Sequence, residues 1–62
     1  MIYEIVIDRH GQETRFEVTK RESAIRAFAN WTRDPDTFSA TIYSISDDGE
    51  ITQLRHFERD DS

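Results

Sequence analysis

Cysteine is absent from this 62-residue chain, and that removes disulfides, thiolate metal sites and thiol nucleophiles together. A cysteine-free chain suits a reducing compartment, so the expected location is the cytoplasm. Long apolar runs are missing too. Ile5-Val6-Ile7 is typical of the longest, far below the ~20 residues that span a bilayer. The first residues show none of the basic-then-apolar pattern of an export signal, and no membrane association is expected. Glycine occurs twice and proline once, so no glycine-rich phosphate loop or G-x-S-x-G elbow can be built. Positive charge is scarce as well. Eight lysines and arginines face thirteen acids, for a net charge of −5. That balance disfavours nucleic acid or an anionic membrane as the main ligand.

What remains is patterned. Residues 1–8 alternate, with Met1, Tyr3, Ile5 and Ile7 on one face and Ile2, Glu4, Val6 and Asp8 on the other. Residues 13–18 alternate more cleanly: Thr14, Phe16 and Val18 against Glu13, Arg15 and Glu17. A hairpin centred on His10-Gly11 sets Ile7 opposite Thr14, Ile5 opposite Phe16 and Tyr3 opposite Val18, joining the two apolar faces. It also sets Asp8 opposite Glu13 and Glu4 opposite Glu17, like-charge pairs that each cost about a few tenths of a kcal/mol.

Thr19-Lys20-Arg21-Glu22 reads as a capping box with Thr19 as the cap. Residues 20–33 then carry a helical stripe of Ala24, Ala27, Phe28 and Trp31, flanked by Ile25 and Thr32. Asp34-Pro35 ends the helix, because the residue before proline is pushed out of the α region. Lys20 and Arg21 fall in the first turn, where the macrodipole disfavours cations, and pairing with Glu17 or Glu13 is the expected remedy. Residues 38–46 and 51–57 form a second hairpin around Asp47-Asp48-Gly49. A two-residue turn there sets Tyr43 against Leu54. A three-residue turn with a bulge sets Ile45 against Ile51 and Ile42 against Leu54. Both registers stay open. Residues 58–62 are expected to be a frayed polar tail beyond a single domain at 1–57.

The order β-β-α-β-β predicts an α+β, two-layer sandwich: one helix on a four-stranded, mainly antiparallel sheet. Ile2, Val6 and part of the second hairpin would lie on the uncovered face, where apolar surface can mark an interface.

Such a sandwich has little volume for a reaction centre. His10 and His56 do not stand at a metal-ligand spacing, and Asp47-Asp48-Gly49-Glu50 lacks the staggered oxygens and distal glutamate of a calcium loop. No metal, cofactor or catalytic role is expected. Charge is unevenly spread, at −2 over residues 1–19, +3 over 20–33 and −6 over 34–62. The helix, with Lys20, Arg21, Arg26 and Arg33, is the one basic element. The acids cluster at the hairpins, and the candidate partner-binding residues are Asp8, Glu13, Glu17, Asp47, Asp48 and Glu50. Carboxylates on neighbouring strands, ~5 Å apart or multiples of it, loosely approximate a row of phosphates, so the expected partner is a protein with a basic surface. Two alternatives stand beside this. One is a homodimer through the free sheet face, and the other is weak nucleic-acid binding through the helix.

The run Phe16-Glu17-Val18-Thr19 leading into the helix, with Thr41-Ile42-Tyr43-Ser44-Ile45 before Asp47-Asp48-Gly49, resembles the layout of short ββαββ accessory proteins of phages and mobile elements, small anti-CRISPR proteins among them. The resemblance is one of layout and assigns no residue a role. It implies an inhibitor of a host protein, acting in the host cytoplasm.

Overall fold

His10 and Gly11 both adopt positive φ, +55° and +78°, the signature of a two-residue type I′ turn. That turn joins β1 (Ile2–Arg9) to β2 (Gln12–Val18) in a computed structural model that describes residues 1–59. The register is the one that joins the apolar faces. Tyr3, Ile5 and Ile7 pair with Val18, Phe16 and Thr14, and the like-charge pairs Glu4–Glu17 and Asp8–Glu13 come with it.

Helix α1 (Arg21–Arg33) starts one residue later than the capping box requires. Lys20 is the N-cap, in extended geometry, and no side chain caps the first turn. Thr19 therefore stands one position outside the cap, out of register with the N–H groups it would accept from. The lone acidic group of the first turn, Glu22, compensates in part through the macrodipole. At the other end the proline stop holds. Asp34 is extended (φ −73°, ψ 120°), its N–H donates to the Trp31 carbonyl at 3.1 Å, and the Thr37 N–H donates to the Asp34 carbonyl at 3.0 Å.

Strand β3 (Thr37–Ile45) pairs with β1 on the side away from β2, and β4 (Ile51–Glu58) pairs with β3. The sheet order is β2-β1-β3-β4, antiparallel throughout. Two bulges adjust it. One expels Phe38, which has no partner between Asp8–Ser39 and Arg9–Thr37 and stays exposed. The other expels Leu54. Ile45 does face Ile51 across a three-residue turn with Gly49 at φ +88°, but Ile42 pairs with Arg55 rather than Leu54. The bulge turns Leu54 onto the core without disturbing the rows beyond it.

Helix α1 crosses over β3 and β1, and the core lies between them. Ile5, Ile7, Ala24, Ala40 and Ile42 are completely buried, surrounded by Tyr3, Phe16, Val18, Phe28, Trp31, Leu54 and Phe57. Each buried isoleucine contributes about 1.5–3 kcal/mol. Phe16 meets Trp31 at 6.4 Å between ring centroids, and the Arg9 guanidinium lies 5.1 Å from the centre of the Trp31 ring.

Glu58 and Arg59 belong to the fold rather than to a frayed tail. Glu58 closes β4 opposite Ser39. The Arg59 guanidinium donates to the carbonyls of Thr32, Asp34 and Thr37 at 3.1–3.2 Å, tying the end of the chain's described part to the last turn of the helix and the start of β3. The rest of the expected tail, residues 60–62, lies outside the described residues. No helix among the described residues is long and apolar enough to cross a membrane.

Candidate functional site

Strand alternation divides the charges between two faces. The face without the helix carries four cross-strand rows, read from β2 to β4. The first is Ile2–Ile45–Ile51 and the second Glu17–Glu4–Tyr43–Gln53. The third is Arg15–Val6–Thr41–His56 and the fourth Glu13–Asp8–Ser39–Glu58. Five carboxylates (Glu4, Asp8, Glu13, Glu17 and Glu58) thus share this face with one arginine, Arg15. Lys20, Arg21, Arg26 and Arg33 belong to the helix and its N-cap, on the opposite side, with Glu22 the one acid within the helix and Asp34 at its C-cap.

This division overturns the expected pairing of Lys20 and Arg21 with Glu17 or Glu13. Those glutamates alternate onto the open face, away from the layer the helix occupies, and among the described residues neither cation is in an ion pair. Glu13 is taken instead by Arg15. The Arg15 guanidinium forks, with Nη1 on Glu4 Oε1 and Nη2 on Glu13 Oε1, both at 3.2 Å. Glu13, through its hydrogen bond and its charge, and then Glu4 hold that guanidinium above its usual pKa.

The six acids singled out in the sequence fall into two groups. Asp8, Glu13 and Glu17 lie on the open face. Asp47, Asp48 and Glu50 lie in and beside the second turn, at the end of the sheet where β1 begins. Asp8 and Glu13 sit at the opposite end, in a molecule 39 Å long. Two of the three turn acids have partners. Asp47 Oδ1 stands 3.4 Å from the N-terminal amine, and Asp48 accepts from the Ser46 hydroxyl and, at 3.2 Å, from the Glu50 N–H. The Ser46 hydroxyl and then the Glu50 N–H hold the Asp48 carboxyl below its ordinary pKa. Glu4 and Glu58 were missed as site residues. Glu4 was legible, because the register that places Glu17 places Glu4 opposite it. Glu58 was hidden by its assignment to the tail.

Among the described residues, depressions of the surface include the following. A groove of about 330 Å³ runs diagonally over the open face, with Val6, Tyr43, Ile45 and Ile51 along it and Glu4, Glu13 and Arg15 at one side. A second, about 380 Å³, lies by the first turn, where Asp8, His10, Asp36 and Arg59 meet. Most of its charged groups are engaged: Asp36 lies 3.5 Å from His10 and 3.7 Å from Arg9, and Arg59 is spent on backbone carbonyls. A third, about 210 Å³, lies between the helix and β4, beside Arg21 and Arg55. Among the described residues no three histidine, aspartate or glutamate side chains converge as a metal site would require. His56 is used by the sheet itself, its Nδ1 lying 2.9 Å from the Thr41 hydroxyl.

Fold and face together define a small α+β domain with one covered and one open sheet face, its charges sorted by face. No protein-family model, no curated protein and no solved structure matches the chain.

Proposed function

We propose that this protein is a non-enzymatic binding module that docks an acidic surface on a basic site of another protein. The observation that carries this reading is the sorting of charge. Five carboxylates against one arginine share a face that also bears exposed Ile2 and Ile51, 40% and 64% accessible. Acids set beside apolar ground let one surface combine a fast, electrostatically steered encounter with a stable contact. The fitting partner is a protein surface that handles nucleic acid, and the layout resembles the small phage inhibitors that block such surfaces in the host cytoplasm. Of the acids named from the sequence, Asp8, Glu13 and Glu17 are better placed for this than Asp48, which is tied into its own turn, and Asp47, which stands beside the N-terminal amine at the far end of the sheet.

The reading predicts salt-sensitive affinity for nucleic-acid-handling proteins of a host lysate. Exposed charges lose their reach beyond a Debye length of ~8–10 Å at physiological salt. Binding that does not change between low and high salt removes the electrostatic reading.

One observation favours a second reading. The helix cations lie across a body 18 × 16 Å in section from the open-face acids, so those acids do not screen them from a phosphate backbone. Yet Lys20, Arg21, Arg26, Arg33 and Arg55 are fewer than the ~6–10 phosphate contacts typical of a duplex binder. A gel shift at low salt that Arg26→Ala and Arg33→Ala abolish decides for this reading, and no shift at all removes it.

A further inference from the structure

We propose that the open-face groove receives an amphipathic, arginine-bearing segment of the partner protein, and that Arg15 is the resident cation such a segment displaces. This rests on the acidic-module reading above. The groove offers two chemistries side by side: an apolar floor of Val6, Tyr43, Ile45 and Ile51, and a carboxylate pair, Glu4 and Glu13, that already holds a forked guanidinium. Arg15 thereby shows what the pair accepts. Its side chain is 58% exposed, so its two ion pairs are of the weak, solvent-screened kind. Glu4 is the more enclosed acceptor, its side chain 23% exposed. An incoming guanidinium can take the same two carboxylates while a neighbouring apolar side chain covers Ile45 and Ile51, a gain that Arg15 itself cannot supply. A second copy of this chain fits poorly, since its own open face would bring like charge. A lysine makes a weaker substitute, because an ammonium lacks the planar fork that spans two carboxylates.

The test uses fluorescence anisotropy of the full chain with three short labelled peptides: alternating arginine and leucine, alternating lysine and leucine, and arginine alternating with serine. The expected order of affinity places arginine–leucine first, with binding that falls as salt rises. Arg15→Gln removes the resident competitor and should tighten that peptide by about two- to fivefold, the range of a surface ion pair. Ile51→Thr, at an exposed position the fold tolerates, should weaken the arginine–leucine peptide and leave the arginine–serine peptide unchanged. Circular dichroism confirms that both variants fold. If Arg15→Gln weakens binding or leaves it unchanged while the wild type still binds in a salt-dependent way, the groove inference fails and the acidic-module reading stands. Salt-dependent binding lost only in Asp47→Asn, Asp48→Asn and Glu50→Gln places the contact at the turn and overturns the inference alike. If no cationic peptide binds the wild type even at low salt, the acidic-module reading itself falls.

Discussion

Asp48 is exposed, yet its carboxyl is held below the ordinary aspartate range, first by the Ser46 hydroxyl and then by the Glu50 N–H. A carboxyl whose pKa is lowered by folding favours the folded state wherever it is ionised. Its contribution is present above the unfolded value and lost as pH falls through the folded one. Ser46→Ala removes the leading cause. The Asp48 carboxyl should then titrate closer to the ordinary aspartate value by NMR. The gap in thermal midpoint between variant and wild type should be widest near neutrality and narrow on acidification. A gap that stays constant down to pH values where aspartates are protonated would mean that the serine acts through the Glu50 backbone contact alone. The same side chain bears on function, because a carboxylate already bonded twice within its turn has less to offer a partner than the open-face acids do.

At the scale of elements, the start of α1 separates two sequence signals that look alike. Thr19 and Lys20 are adjacent, but only Lys20 occupies the cap, so Thr19→Ala should leave stability within about 0.5 kcal/mol. Lys20→Ser places an acceptor where none stands and removes a cation from the positive end of the dipole. It should stabilise by about 1 kcal/mol, or roughly 4–8 °C in a domain of this size. Thermal melts of the two variants decide it, and a large loss in Thr19→Ala would restore the capping box. The order β-β-α-β-β, the α+β sandwich and the first hairpin's register were legible because strict alternation allows one pairing that buries Ile5, Ile7 and Phe16 together. The second hairpin was half legible. Asp47-Asp48-Gly49 named a turn, but Leu54 and Phe38 are bulged residues, and a bulge leaves no mark in a period-two pattern. The site was legible where it depended on that first register, as for Glu17 and Glu13. It was hidden where it depended on which strand β1 chose as its second neighbour, since that pairing brings Tyr43 beside Glu4 and Thr41 beside Val6.

At the scale of the whole molecule, the sorting of charge bears on whether the free sheet face can pair with itself. A two-fold pairing of open faces would set ten carboxylates, five from each copy, against two arginines, while the apolar ground it could cover is chiefly the row Ile2–Ile45–Ile51 at one end of the sheet. Like charges brought together across an interface cost several kcal/mol, more than one edge row of exposed isoleucines returns after the entropy of association. The expected state at neutral pH and low salt is therefore a monomer, even at high micromolar concentration. The repulsion has two releases, protonation of the carboxylates in acid and screening at ~1 M salt, where the Debye length shrinks to about 3 Å. Sedimentation equilibrium across both conditions reads this directly: association should appear only where the face has lost its charge. A dimer that resists dilution at neutral pH and low salt would show that the isoleucine row outweighs the acids, and the open face would then be an interface between copies rather than a surface held free for a basic partner.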